Sequence, residues 1–325
     1  METTHRVHVG DARDLPLADD SVDLVVTSPP YPMIAMWDDV FAALDPEIGD
    51  ALADDDGDRA HDLMLSVLDD AWQEVARVLA PGGIAVVNVG DATRTLDRFR
   101  VYDNHARVTQ TFQSLGFDPL PGVLWRKPGN SAAKFMGSGM VPPNAYVTLE
   151  HEHVLVFRNG RRREFEPGAD RRYEAAYFWE ERNRWFSDVW DGLRGERQTL
   201  ADPDLRERSG AFPFAVPYRL VNMYSVYGDT VLDPFWGTGT TSLAAGVAGR
   251  NSVGVERDET LAGAFDDRIR DAPALSRSVA GQRLADHREF VRESGDDFQY
   301  RSDHYDTPVR TKQEQRLRLY EVADV

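Results

Sequence analysis

Asp233-Pro234-Phe235-Trp236-Gly237-Thr238-Gly239-Thr240-Thr241 decides the fold, because the apolar run Val231-Leu232 enters it and a small-residue helical pattern from about Thr240 to Ala248 leaves it. A strand, a glycine turn and a helix in that order bring a small ligand against backbone amides at a helix N-terminus. Gly237 and Gly239 leave room for that approach. The next apolar run, Ser252-Val253-Gly254-Val255-Glu256, completes a βαβ unit and ends in a carboxylate that can accept hydrogen bonds from both hydroxyls of a ribose. Alone, the pattern would also serve a nicotinamide dinucleotide. Two features oppose that: Ser242 stands where the dinucleotide fingerprint needs glycine or alanine, and Asp233 opens the loop where a pyrophosphate would be repelled. An aspartate there suits an ammonium group.

Towards the N-terminus, Arg6-Val7-His8-Val9-Gly10-Asp11 and Val22-Asp23-Leu24-Val25-Val26 read as strands. The second runs into Thr27-Ser28-Pro29-Pro30-Tyr31, whose successive prolines stop any ladder or helix. Ser28 to Tyr31 is therefore a loop at a strand's carboxyl end, the edge at which open α/β sheets bind ligands. Residues from about 38 to 79 are expected to be helical, with Leu63, Val67, Leu68, Trp72, Val75 and Leu79 on one face and Pro81-Gly82-Gly83 ending the run. A buried strand from Ile84 to Val89 follows, then a helix from Ala106 to Leu115, strands at Gly122–Trp125 and Val154–Phe157, and a helix opening near Pro217. Alternating strands and helices argue for a doubly wound sheet rather than a sandwich or a bundle. From Arg158 to about Pro203 the chain becomes rich in arginine and aromatics with little periodicity and reads as an insert. Beyond Arg270 it is charged and mixed, and is expected to be peripheral.

Gly10-Asp11, Thr27-Ser28-Pro29-Pro30-Tyr31, Pro81-Gly82-Gly83-Ile84, Leu124-Trp125-Arg126-Lys127-Pro128, Glu152-His153-Val154-Leu155-Val156-Phe157, Ala211-Phe212-Pro213 and the Asp233 loop follow one another over roughly residues 5 to 265. In these motifs and their order the chain resembles the β-group DNA amino-methyltransferases, the cytosine-N4 and adenine-N6 family. The resemblance implies an α/β fold: a circularly permuted, Rossmann-like S-adenosylmethionine-dependent methyltransferase sheet, entered at its third strand and finishing with its first two. It implies a catalytic half at 1–157 with a helical insert at about 36–80, a target-recognition insert at 158–205, a cofactor-binding half at 206–270 and a C-terminal extension at 271–325. Asp11, Phe212, Asp233, Pro234, Phe235, Gly237, Gly239, Thr240 and Glu256 would surround the cofactor S-adenosylmethionine. The Ser28 side chain and the Pro29 carbonyl would accept hydrogen bonds from the target amine, Pro30 would hold the loop rigid, and Tyr31 would stack on the base.

Those residue types suit the chemistry. An exocyclic amine conjugated to its ring is a poor nucleophile until acceptors draw its protons out of plane, and a proline-fixed carbonyl is preorganised for that task. Transfer to cytosine carbon-5 would need a cysteine nucleophile, and the chain has no cysteine. Serine rather than aspartate at position 28 favours cytosine as the target, although a serine hydroxyl can donate as well as accept, so adenine stays open. A nucleic-acid-binding protein that keeps the cofactor site with little catalysis is the alternative of a different class.

The 325 residues carry a net charge of −18, with 55 acidic residues against 37 basic ones. Lysine occurs only at Lys127, Lys134 and Lys312 while arginine supplies the other cations, and aspartate runs such as Asp54-Asp55-Asp56 mark surface segments. This resembles the composition of salt-adapted, haloarchaeal-type proteins, in which net charge says little about partners because salt screens it. Duplex DNA with a short recognition sequence is the expected partner, contacted by Arg126, Lys127, Arg161, Arg162, Arg163, Arg171 and Arg172. A cognate restriction endonuclease is a candidate second partner, and oligomeric state is not readable. His151-Glu152-His153 offers only two imidazoles on one strand face, so no metal site is expected. No apolar run approaches the ~18 residues of a membrane span, and the N-terminus lacks a signal-peptide pattern, which points to the cytoplasm.

Overall fold

The computed structural model describes residues 2–127, 136–193, 212–263, 265–295 and 297–325; Pro128, Ala211 and positions 194–205 of the expected insert lie outside them. The β-branched runs pair into one eight-stranded sheet. In chain order its strands are β1 (His5–Val9), β2 (Val22–Thr27), β3 (Leu79–Val89), β4 (Phe117–Arg126), β5 (His151–Asn159), β6 (Val189–Trp190), β7 (Thr230–Asp233) and β8 (Asn251–Glu256). In space they run β1-β8-β7-β2-β3-β5-β4-β6, with β5 antiparallel to both of its neighbours and the remaining pairs parallel. This is the permuted order that the resemblance implies: the first strand of the sheet pairs with its last in sequence, and β7 fits between β8 and β2.

Both faces are covered, as a parallel sheet requires. Successive residues alternate between them. Val25, Ala85 and Val87 face α1 (Asp38–Leu44), α2 (Pro46–Ala53), α3 (Gly57–Val78) and α4 (Asn104–Ser114). Leu24, Val26 and Val86 face the other side, where α7 (Ala215–Tyr224) and α8 (Thr240–Val247) pack. Between them in sequence lie α5 (Asp170–Glu174) and α6 (Trp179–Trp185). Two short helices, α9 (Glu259–Gly263) and α10 (Phe265–Ile269), lead into the long α11 (Ala272–Ser294). Among the described residues no helix is long and apolar enough to cross a membrane.

Three expectations change. The helix expected at 38–79 is three helices, because Asp45 accepts a hydrogen bond from Glu47 N (3.0 Å) ahead of Pro46, and Asp56 accepts one from Arg59 N (3.1 Å). These aspartates therefore start helices as well as charging the surface. Pro81-Gly82-Gly83 does not end a helix but lies within β3, where the register against β2 shifts between Val22 and Leu24. Gly82 has φ +81°, and a Cβ there would meet Arg163 N at 2.7 Å.

The third change concerns the segment beyond Arg270, which is built into the fold. Arg283 on α11 donates to both Glu181 oxygens (2.6 and 2.8 Å) in a buried pair, and His287 stacks on Phe178 with ring centroids 4.0 Å apart. Phe178, Val309 and Leu317 form a small core of their own. The arginine-aromatic segment and the C-terminal extension thus bury each other's apolar faces.

A buried ion pair that loses one partner leaves a charge without compensation, at a cost of about 3–5 kcal/mol. Arg283→Met should lower the free energy of unfolding by about that amount in urea titrations. A loss below about 1 kcal/mol would show that the extension does not depend on the pair.

Candidate active site

β7 and β2 lie side by side, so their carboxyl ends deliver the Asp233 loop and the Ser28 loop to the same place. The two are joined directly. Thr27 Oγ1 donates to Asp233 Oδ1 at 2.6 Å, across 206 residues of sequence, with both side chains buried. The Asp233 carboxylate also accepts from Phe235 N at 3.2 Å and from the Thr241 hydroxyl. Thr241 Oγ1 in turn lies 3.2 Å from the Val26 carbonyl. Burial pushes the Asp233 carboxyl up to about 6, the nearby Glu256 charge adding in the same direction. The sequence pairs Asp233 with an ammonium group; the structure shows its carboxylate buried to 4% exposure and engaged in tying the two halves together.

The glycine turn keeps its opening. Gly237 has φ +56° and nothing within 4 Å of where a Cβ would stand, whereas a Cβ on Gly239 (φ +75°) would strike Phe265 and Trp236 at 2.5–2.6 Å. One glycine faces open space and the other permits close helix packing. Glu256, half-buried at the end of β8, accepts from Gly237 N (2.8 Å) and Asp258 N (2.9 Å), and burial raises its pKa. Asp11 lies at the neighbouring strand end, where Gly10 N donates to the Glu256 carbonyl (2.9 Å), and its carboxylate is held by Arg13. A cleft of about 420 Å³ opens beside Asp11 and Arg13, walled by Asp14, Asp70, Gln73 and Glu74. A Cβ-free turn with positive φ, flanked by carboxylates at two successive strand ends, fits an adenosyl ligand that offers hydroxyl and amino donors. Pro234, Thr240 and Phe212 lie within the protein: Phe212 joins the core beside Trp125 and Trp190, and Arg268 reaches the Thr240 hydroxyl. Phe235 stands with its ring edge-on to Trp72, 5.6 Å between centroids.

On the other loop, Pro29 is buried and Ser28, Pro30 and Tyr31 are partly exposed. Ser28 Oγ and the Tyr31 hydroxyl oxygen lie 2.9 Å apart. Two residues to which the sequence assigns no role complete the cluster. Asn88 on β3 directs its amide nitrogen to Tyr31 (2.8 Å) and to Glu152 Oε2 (2.6 Å), and Glu152 on β5 also accepts from the Tyr31 hydroxyl (3.0 Å). Lys127 pairs with the other Glu152 oxygen. Burial, with the Glu152 charge beside it, holds the Tyr31 phenol well above its ordinary pKa. The loop is anchored behind by Asn104, fully buried, whose amide donates to the Pro32 carbonyl (3.0 Å) and the Gly90 carbonyl (2.9 Å). Asn88 carried a signal: it is a polar residue inside an otherwise apolar strand.

The expected DNA-contacting residues divide. Arg126 ends β4 at the Ser28 edge with Lys127 just beyond it, and the Arg126 side chain is 63% exposed beside Glu150. Arg163 instead donates to Asp229 (2.7 and 3.0 Å) and lies 3.1 Å from Asp23, with Arg171 3.6 Å from Asp229. Those aspartates stand where β7 and β2 begin, about 16 Å of strand from Ser28. Arg172 covers the Phe165 ring, and Arg161 and Arg162 are exposed at the same end. The structure therefore places these five arginines at the opposite edge of the sheet from the Ser28 loop, Arg163 and Arg171 in ion pairs, Arg172 over a ring, and Arg161 and Arg162 exposed.

Asp91, His105 and His153 also come together. Asp91 accepts from His105 N (3.1 Å) and Nδ1 (2.8 Å), while His153 stacks on His105 with centroids 3.9 Å apart and planes only 7° from parallel. An ion must lie in the plane of each imidazole that binds it, and two near-parallel planes in van der Waals contact share no such point. The cluster starts α4 and packs a strand end. Burial, reinforced by His105, takes His153 down to about 4.

A model of the DNA methylase family, of the N6/N4 type, matches residues 22–265. The chain is similar to the Type II methyltransferase M.MthZI of Methanothermobacter thermautotrophicus, at 50% identity over 325 residues covering 98% of this chain and 91% of that one. It is also similar to the Type II methyltransferase M.MjaI of Methanocaldococcus jannaschii, at 46% identity over 282 residues covering 83% of this chain and 92% of that one. Among solved structures, TTHA0409 of Thermus thermophilus complexed with S-adenosyl-L-methionine superposes with a TM-score of 0.63 at 33% identity, covering 82% of this chain and 93% of that one.

Because the folded pKa of Asp233 lies above its unfolded value, the folded state holds a proton that the unfolded state has released, and ionisation of Asp233 opposes folding as pH rises from about 4 to about 6. Asn cannot ionise. Between about pH 4.5 and about pH 7.5, the stability of Asp233→Asn relative to the parent should rise by about 2 kcal/mol. Urea unfolding at both pH values checks this, and a difference independent of pH would contradict it.

Proposed function

The chain belongs to the N6/N4 DNA methylase family, and from that premise we propose that it methylates the exocyclic N4 amino group of cytosine at a short specific sequence in duplex DNA. It is a DNA methyltransferase, and its cofactor is S-adenosylmethionine. The observation that carries the reading is the Thr27–Asp233 hydrogen bond of 2.6 Å, which sets the amine-accepting loop beside the glycine turn.

When bound, S-adenosylmethionine supplies a methyl group on a positively charged sulfur, so transfer to an amine is a direct displacement. The protein's part is to position and polarise. Gly237 gives backbone access, Glu256 and Asp11 flank the adenosyl group, and the proline loop offers Ser28 Oγ and the Pro29 carbonyl to the two protons of the amine. A base inside a duplex cannot reach that loop, so the target is flipped out, with Tyr31 packing on it. Serine at the first position of the loop supports cytosine. Arg126 and Lys127, at the same edge, contact the DNA backbone.

The similarity to M.MthZI and M.MjaI, both Type II methyltransferases, supports a role beside a cognate restriction endonuclease. The excess of acidic residues, with only three lysines, supports work in a salt-rich cytoplasm.

Incubation with unmethylated DNA and labelled S-adenosylmethionine, followed by nucleoside mass spectrometry, should yield N4-methylcytosine alone. N6-methyladenine alone would refute the cytosine assignment, and no label in DNA would refute the catalytic reading. Turnover should rise with KCl into the molar range; inhibition by salt over that range would refute the salt adaptation.

A further inference from the structure

Resting on the reading of Ser28 as an acceptor for the target amine, we propose that Glu152 is a positioning residue that acts through Tyr31 to turn the Ser28 hydroxyl, so that its lone pairs and not its proton face the substrate. Proton counting fixes the direction of each bond. A carboxylate has none to give, so each contact of Glu152 must be a donation towards it: Asn88 Nδ2 at 2.6 Å, the Tyr31 hydroxyl at 3.0 Å and the Lys127 ammonium. The single Tyr31 proton therefore points at Glu152. Asn88 Nδ2, a donor only, faces the Tyr31 oxygen at 2.8 Å and, more distantly, Ser28 Oγ at 3.5 Å, so it takes a proton from neither. The remaining contact, between Tyr31 and Ser28 Oγ at 2.9 Å, can then be made only with Ser28 donating. Nothing in this chain can be reversed without leaving two protons or two lone pairs face to face.

An amine conjugated to a pyrimidine ring presents protons. A serine free to rotate would spend part of its time aiming its own proton at them. With the Ser28 proton held on Tyr31, the substrate meets lone pairs on an oxygen whose other neighbour, Asn88 Nδ2 at 3.5 Å, is itself a donor. Glu152 thus supplies, two hydrogen bonds away, the acceptor character that an aspartate in place of Ser28 would have outright. The buried environment suits this: Glu152 is 12% exposed, so water competes little for its oxygens. Gly90 keeps the backbone clear of the Tyr31 ring, where a Cβ would approach to 3.1 Å.

The test compares Glu152→Gln, Tyr31→Phe and the double variant, each assayed on cognate DNA with cofactor affinity measured separately by calorimetry. Glutamine keeps the shape but can donate, which lets the Tyr31 proton turn towards Ser28. Glu152→Gln should lower kcat by roughly 100-fold, the scale of a misdirected hydrogen bond at a reacting group. KM for DNA and the cofactor Kd should stay within about twofold. Tyr31→Phe keeps the ring for stacking and cuts the relay, so the double variant should be no slower than the slower single variant. Ser28→Asp, a fixed acceptor, should make the 152 substitution nearly silent. Glu152→Gln within about threefold of the parent kcat, or losses that multiply in the double variant, would overturn the proposal. Transfer by the unaltered protein reports on the parent reading separately: if no base is methylated, that reading falls and takes this one with it.

Discussion

A single buried hydrogen bond, from Thr27 to Asp233, makes one site out of two loops that are far apart in sequence. Each loop is stiff on its own side, the first through two prolines and the second through a turn closed by glycines and packed against Trp236. The bond spans the two neighbouring strand ends at the point where the sheet's connections change direction, the place at which open α/β sheets form their crevice. It comes with a burden, since desolvation raises the Asp233 carboxyl to about 6. The fold tolerates a poorly solvated carboxylate because Thr27, Thr241 and Phe235 N all donate to it.

The elements that the sequence reveals are those whose signal is local. Val22 to Val26, Ile84 to Val89 and Val231 to Asp233 are apolar runs bounded by turn residues, and each is a strand of the sheet. The order of the motifs leads to the permuted topology. The break between α1 and α2 is equally local, an aspartate followed by proline, but the apolar positions that point to a helix, Leu63 to Leu79, all lie beyond it. Glu152 was hidden differently: it stands between two histidines that draw attention, and nothing in its own strand says that β3 will bring Asn88 to it across 64 residues. Charge was the least legible signal. A run of arginines announces an anion but not which one, and for Arg163 the anions are Asp229 and Asp23 of its own sheet.

The same limit explains the C-terminal extension. Its helix has no strong apolar stripe because its contacts are polar and specific: Arg283 reaches Glu181, and His287 lies between Glu180 and the Pro308 carbonyl. Buried pairs of this kind add little net stability, but they leave few alternative packings, since each wrong one would strand a charge. The arginine-aromatic segment and the extension are therefore best regarded as one body formed from two distant stretches of chain.

The permuted order also governs how the chain comes off the ribosome. β1 is made first, but among the described residues its sheet partner is β8, with His5 opposite Ser252, so it stays unpaired until β8 has been made. β2 meets β3 early, yet its other edge waits for β7, more than 200 residues later. Contacts of such long sequence separation slow folding, and an uncovered strand edge in the meantime can pair with another chain. Until β7 is made, the strand that carries the Ser28 loop has one sheet edge with nothing beside it, the kind of edge that can pair with another chain.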